Sequence, residues 1–385
     1  MKGSLLIMRI AGIGVFVHWT FLLLLGWIFV MHLPGEGVIG AFRGVGLIVA
    51  LFGCVVLHEL GHALTARRFD VPTKDITLLP IGGVARMERI PRNPNQELAI
   101  ALAGPAVNVV IAAVLFVMLY AVGGPADLTT IASPGGPWLD KLMWFNVFVV
   151  VFNMLPAFPM DGGRVLRALL ARRMNYVAAT QVAANVGQIM AVFFAMLGLM
   201  SNWFLIFIAL FVYLGARSEA ELVRVQDLAR GFTVRDAMVT QFDSLTPTHT
   251  IDEASRLLLA GSQHDFPVLD RGQVVGILVR QDLVNALATR AGRTSIESVM
   301  QTEFPILDEA TDLEAALSKF QTPRIATIPV THFGRLVGLL TQENLQEWVA
   351  LGTARKRKQL TGPAVEKQFK DSGLWQHPRS FVGRP

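Results

Sequence analysis

Two imidazoles and a carboxylate stand together in His58-Glu59-Leu60-Gly61-His62. On a helix, His58 and His62 lie four residues apart on one face, a spacing at which two neutral imidazoles can hold one metal ion. The pattern suits zinc, with Glu59 placed to act as a base on water at the metal. Its setting is unusual, because the motif closes an apolar run from Gly44 to Leu57 that reads as a membrane span. Ionisable groups inside a span are costly and mark function. A third ligand is offered by Asp161, in Asn153-Met154-Leu155-Pro156-Ala157-Phe158-Pro159-Met160-Asp161-Gly162. Prolines and glycines break an apolar helix there, and irregular backbone at membrane depth is tolerated only where it lines a cavity or packs inside protein. Taken alone, Asp161 is as readily a loop aspartate. Beside the histidine motif it completes a His-His-carboxylate set that leaves one zinc position open for water. Cys54, one helical turn before His58, reads as a small packing residue.

The elements that must position these groups are mostly apolar. The chain has 385 residues, of which 52% are hydrophobic and 16% charged, and its mean hydropathy is +0.48. This balance excludes an ordinary soluble enzyme and points to several spans. Runs at 13–31, 44–66, 97–121, 137–156, 183–200 and 203–216 predict six. The net charge of +5 is unevenly spread: residues 1–230 carry 17 Lys+Arg against 12 Asp+Glu, residues 231–350 carry 9 against 15, and residues 351–385 carry 8 against 2. With the N-terminus inside, the outer loops hold only Arg43 and Lys141, so the bias places both termini in the cytoplasm. The histidine motif and Asp161 then end their spans at the same membrane face. No aromatic-basic pattern suggests nucleic acid, and one cysteine permits no intrachain disulfide. Between the second and third runs, Ile76–Pro80 and Val84–Met87 predict a hairpin over Gly82-Gly83. Its edge is suited either to receive an extended peptide or simply to connect spans.

Residues 233–290 and 295–350 repeat each other at an offset of 61–62. Val234-Arg235-Asp236-Ala237-Met238 matches Ile296-Glu297-Ser298-Val299-Met300, and Ile251-Asp252-Glu253-Ala254 is aligned with Asp312-Leu313-Glu314-Ala315. Phe266-Pro267-Val268 matches Ile328-Pro329-Val330, and Gly276-Ile277-Leu278 matches Gly338-Leu339-Leu340. Each unit reads helix, strand, strand, helix and lacks a nucleophile-base pair, so the pair predicts a binding or dimerising module. The expected fold class is an α-helical polytopic membrane protein of six spans followed by an α/β tandem module. The domains are 1–220 for the membrane part, 221–232 for a linker, 233–290 and 295–350 for the repeats, and 351–385 for a basic, disordered tail.

With Gly104-Pro105-Ala106-Val107-Asn108 in the third run beside the other two motifs, the membrane half resembles the site-2 protease family of intramembrane zinc metalloproteases. The second half resembles a tandem pair of cystathionine-β-synthase (CBS) domains. The first resemblance implies one Zn2+ held by His58, His62 and Asp161, with Glu59 as general base and then acid. It also implies that Asn108 and Asn153 contact substrate backbone or the oxyanion. The implied substrates are single-pass membrane proteins, such as anti-sigma or pro-sigma factors, cut within the bilayer. The second resemblance implies an adenine nucleotide near Asp282 and Thr341, or a homodimer formed through the CBS pair. Val279 and Asn344 depart from the nucleotide-binding pattern and leave each half-site incomplete. The competing expectations are a CBS-gated membrane transporter and a metal-binding inactive pseudoprotease.

Overall fold

The computed structural model describes residues 3–80, 82–87, 91–126, 136–289, 292–321 and 326–361. It divides into two compact units, Met1–Val223 and Arg224–Pro385.

The first predicted span begins as a strand. β1 (Ser4–Ile10) and β2 (Ile13–His18) form an antiparallel hairpin. Ala11 and Gly12 between them both have positive φ, at 51° and 85°, as a two-residue turn matched to strand twist requires. Ile13, Val15 and Val17 bury one period-2 face. This alternation of β-branched residues overrides the helical length of the run. The helical stretch Trp19–Arg67 then breaks at Gly37 (φ 64°) into α1 (Trp19–Gly35) and α2 (Gly37–Arg67). The two fold back on each other, with Phe21 edge-on to Phe52 and Phe29 edge-on to Phe42. After α2, β3 (Thr73–Leu79) pairs in parallel with β2, and β4 (Gly82–Met87) completes a hairpin in which Gly82 and Gly83, the expected turn, are instead paired with Leu79 and Leu78. The sheet order β1-β2-β3-β4 leaves β4 as an edge.

Beyond the sheet come α3 (Pro94–Ala121), α4 (Trp138–Asn153), α5 (Asp161–Leu170), α6 (Tyr176–Met200) and α7 (Trp203–Ala229). Among the described residues four helices are long and apolar enough to cross a membrane: α2, α3, α6 and α7. These account for four of the six expected spans, and the two remaining apolar runs give shorter helices. Once β2 has taken its first residues, α1 keeps only 17 residues. α4 has 16 residues and stops at Asn153, short of the ~20 that a span needs. The membrane half is also not purely helical, since it carries the four-stranded sheet. Apolar side chains such as Val110, Val117 and Phe207 are more than half exposed, as a lipid-facing surface would be.

In the second unit the repeat is exact in its packing at an offset of 62. Ile251 and Ala254, buried on α8 (Ile251–Ala260), correspond to Leu313 and Ala316, buried on α10 (Leu313–Leu317). The helix-capping residues are Thr250 and Asp312, so aligning Ile251 with Asp312 is one residue out of register. β5 (Phe266–Asp270) and β6 (Gln273–Leu278) are followed by α9 (Arg280–Ala288). β7 (Leu307–Asp308), β8 (Thr327–His332) and β9 (Arg335–Thr341) are followed by α11 (Gln342–Thr361). α11 makes residues 351–361 helical, contrary to the expected disorder, and residues 362–385 lie outside the described residues.

The repeats exchange their entry segments. Val239 exchanges backbone hydrogen bonds with Leu339 of the other repeat, and Gln301 with Ile277. A β-carbon on Gly276 would meet Met300, and one on Gly338 would meet Met238. Val234 and Ala237 accordingly sit in the core of Leu307, Leu313, Ile328 and Leu340, whereas Ile296 sits in the core of Leu245, Ile251, Phe266 and Leu278. Val234→Ala should therefore cost ~1–3 kcal/mol in the second core. Hydrogen exchange should show lost protection in β8 and β9 while β5 and β6 keep theirs. Equal loss in both sheets would contradict the exchange of segments.

Candidate metal centre

α2 supplies His58, Glu59 and His62, and Asp161 opens α5. The two histidines and the aspartate are 4–8% exposed. His58 Nε2 and His62 Nε2 are 3.1 Å apart, and Asp161 Oδ2 lies 3.2 and 3.1 Å from them. The structure thus brings together three residues that the sequence separates by up to 103 positions.

Each imidazole is held from behind. His62 Nδ1–H donates to the Ile100 carbonyl at 2.6 Å, an atom that can only accept. His58 Nδ1 lies 2.5 Å from Asn108 Oδ1. Both supports come from α3. Neutral rings held this way turn their Nε2 lone pairs toward each other and toward a carboxylate oxygen. Three acceptors with no proton among them call for a cation. Their separations also suit one, because a tetrahedral zinc with ligands at ~2.0–2.1 Å has ligand–ligand edges of about 3.3 Å. The space is kept open by Gly104 of α3. A β-carbon there would collide with His62 Nε2 and lie 2.7 Å from His58 Nε2.

Asp161 is placed by close backbone packing. β-carbons on Gly162 and Gly163 would strike the carbonyl of Leu155 and the backbone of Ala157 and Phe158, so only glycine lets α5 start against this turn. Two turns further along, Arg167 is fully buried. It contacts Glu97 of α3 at 2.5 Å and Glu219 of α7 at 2.6 Å. Its guanidinium lies 4.9 Å from the Phe158 ring centre and 5.0 Å from that of Tyr176. Removing one partner of such a cluster leaves an uncompensated buried charge, at ~3–5 kcal/mol. The cluster is a strong lock on the orientation of α5.

The remaining sequence candidates fall out differently. Glu59 is half-buried, and its carboxylate makes no hydrogen bond among the described residues. A β-carbon on Gly83 of β4 would lie 3.0 Å from Glu59 Cγ, so the sheet edge reaches this residue. Asn108 is engaged within the protein at both ends of its amide, since its Nδ2 donates to Asn146 Oδ1 at 2.6 Å. It therefore supports His58, where a substrate or oxyanion contact was expected. Asn153 ends α4 half-buried, and its side chain makes no hydrogen bond among the described residues. Asp282 and Thr341 both line a cleft of about 1210 Å³ between the two repeats. Asp282 accepts from Gln301 at 2.8 Å, and Thr341 Oγ1 accepts from the Asn344 backbone at 3.0 Å. The Asn344 amide is turned away to the Ala237 carbonyl. Sequence reasoning named Gly104 only within a motif and gave no role to Asn146 or to the Arg167 cluster. Asn146 carried the same signal as Asn108, a polar side chain in an apolar helix.

A model of peptidase family M50 matches residues 46–134 and 131–197, and a CBS domain model matches 234–289 and 296–351. Zinc metalloprotease MJ0392 of Methanocaldococcus jannaschii is 33% identical over 347 residues, which cover 90% of this chain and 96% of that protein. This chain belongs to peptidase family M50. It is a site-2 protease-family chain with a tandem CBS module. Rip3 of Mycobacterium tuberculosis is 29% identical over 402 residues, covering 97% of this chain and 100% of its own length. The solved site-2 protease from M. jannaschii is 39% identical, with a TM-score of 0.43, covering 56% of this chain and 95% of that one.

The packing around Gly104 makes a direct prediction for this M50 centre. Gly104→Ala should abolish stoichiometric metal binding while leaving helix content unchanged, as read by elemental analysis and circular dichroism of the purified chain. A fully metallated Gly104→Ala protein would contradict the placement of the site.

Proposed function

We propose that this chain is a zinc-dependent intramembrane endopeptidase that cuts the transmembrane segments of single-pass proteins, with anti-sigma and pro-sigma factors as the substrate class. The convergence of His58 Nε2, His62 Nε2 and Asp161 Oδ2 within 3.1–3.2 Å, buried among membrane-capable helices, carries this reading. These three atoms would hold the metal. Zinc, when bound, supplies Lewis acidity that polarises a scissile carbonyl and acidifies water.

The chain's own residues do the rest. Glu59, whose carboxylate makes no hydrogen bond among the described residues, takes a proton from the attacking water and returns it to the leaving amine. Asn153, whose amide makes no hydrogen bond among the described residues, offers it to substrate backbone. The β4 edge, lying against Glu59, can align an extended peptide by strand addition and so hold an unwound segment beside the base. The Lys/Arg asymmetry supports a cell-membrane protein with both termini and the CBS pair in the cytoplasm. In this reading residues 1–220 form the protease domain and residues 221–232 the linker. Residues 233–290 and 295–350 then form a module that regulates cleavage by binding an adenine nucleotide in the cleft of Asp282 and Thr341, or by dimerising. Regulation by a nucleotide requires that it bind the open and closed protease with different affinity.

Glu59→Gln should retain zinc and lower cleavage of a single-pass substrate by ~10²-fold or more. The readout is a cleavage assay in detergent or vesicles with metal content measured in parallel, and normal cleavage would remove Glu59 as the base. Titration of the full chain with AMP and ATP in a calorimeter should give saturable heat. No heat and no thermal shift would leave dimerisation as the role of the module.

A further inference from the structure

The two histidines reach the same tautomer by different means. His62 has a backbone carbonyl behind it, and a carbonyl can only accept. His58 has the amide of Asn108, whose oxygen and nitrogen ends are nearly identical in shape. A half-turn of that amide would present NH2 to His58 Nδ1. The ring would then carry its proton on Nε2, where a metal must bind. Asn108 by itself therefore cannot guarantee a ligating His58.

We propose that Asn146 is a positioning residue that selects the metal-binding tautomer of His58 by fixing the direction of a buried hydrogen-bond relay. The proposal rests on the reading of this site as a zinc centre. Asn108 and Asn146 are both 0% exposed. Asn146 Nδ2 lies 2.8 Å from the Leu142 carbonyl, which fixes that end of the amide as the donor. Its second proton faces Cys54 Sγ at 3.4 Å. The oxygen end of Asn146 must then point the other way, and it lies 2.6 Å from Asn108 Nδ2. Oxygen only accepts, so Asn108 must donate there. Its own oxygen is left toward His58 Nδ1, at 2.5 Å. That oxygen also only accepts, so Nδ1 carries the proton and Nε2 keeps its lone pair. The direction of the whole chain thus follows from one backbone carbonyl on α4. A flipped Asn108 would set oxygen against oxygen at Asn146 in a buried place, which is disfavoured.

The test is zinc affinity, measured by chelator competition on the full-length protein in detergent, with the ligand-field absorption of the Co2+-loaded protein as a second readout. Asn146→Leu should weaken zinc binding 10–100-fold, the usual effect of losing an outer partner of a metal-binding histidine. Asn108→Asp presents an acceptor at both ends, so its orientation no longer matters. The double variant Asn146→Leu/Asn108→Asp, in which no Asn146 oxygen opposes the new carboxylate, should therefore bind zinc more tightly than Asn146→Leu alone and recover the Co2+ spectrum. A residue that merely filled space would not be rescued this way. Where the leucine variant does not fold, Asn146→Ser serves, because a hydroxyl that gives or takes a proton imposes no direction. Wild-type zinc affinity in both Asn146 variants, or a double variant as weak as Asn146→Leu, overturns the relay. Zinc binding that survives His58→Ala unchanged overturns the zinc-centre reading instead.

Discussion

Two imidazole nitrogens and a carboxylate oxygen are held within 3.2 Å of one another, away from water. Desolvating such a set costs several kcal/mol, and the acceptors repel one another unless a cation joins them. The surrounding helices are arranged to keep that set intact. α2 carries both histidines on one face, and α3 stands behind it with a carbonyl for one ring and an amide for the other. Gly104 of α3 adds nothing on the side where the ligand atoms meet.

α3 is also the anchor for the third ligand. Glu97 lies three residues before the Ile100 carbonyl that holds His62, and it grips Arg167 on the helix that Asp161 begins. One helix thus sets the position of both ligand-bearing helices, α2 and α5. The guanidinium suits this place because its planar fork serves two carboxylates while its faces lie over Phe158 and Tyr176. With Glu219 as the second partner, the lock extends to α7.

The second unit shows the same economy in a different form. Each repeat lends its first turn to the core of the other, so neither core is complete without both. The cleft that results is lined by residues of both repeats, and its half-sites differ. Asp282 keeps its carboxylate and is tethered by Gln301, whereas Asn344 has turned its amide inward to Ala237. The asymmetry that the sequence shows in Val279 and Asn344 is therefore also an asymmetry of hydrogen bonding.

The chemistry was the most legible part of the sequence. Ionisable side chains in apolar runs need a reason, and His58, Glu59 and His62 declared themselves on that ground, with Asp161 joining them only beside the histidine motif. The repeat was equally plain, though its register near Ile251 was settled only by which residues are buried. The strand that opens the first apolar run was not legible, because hydropathy cannot tell a β-branched strand such as Ile13–His18 from the start of a helix. Strand identity depends on pairing with β3, some 60 residues away. Asn108 was visible as a polar residue at depth, but its partner was not. Whether it faces substrate or His58 depends on the packing of α3 against α2 and α4. The roles of Gly104, Asn146 and Arg167 are likewise properties of contact, so sequence determined which atoms can bind a metal, and tertiary structure decided which way they point.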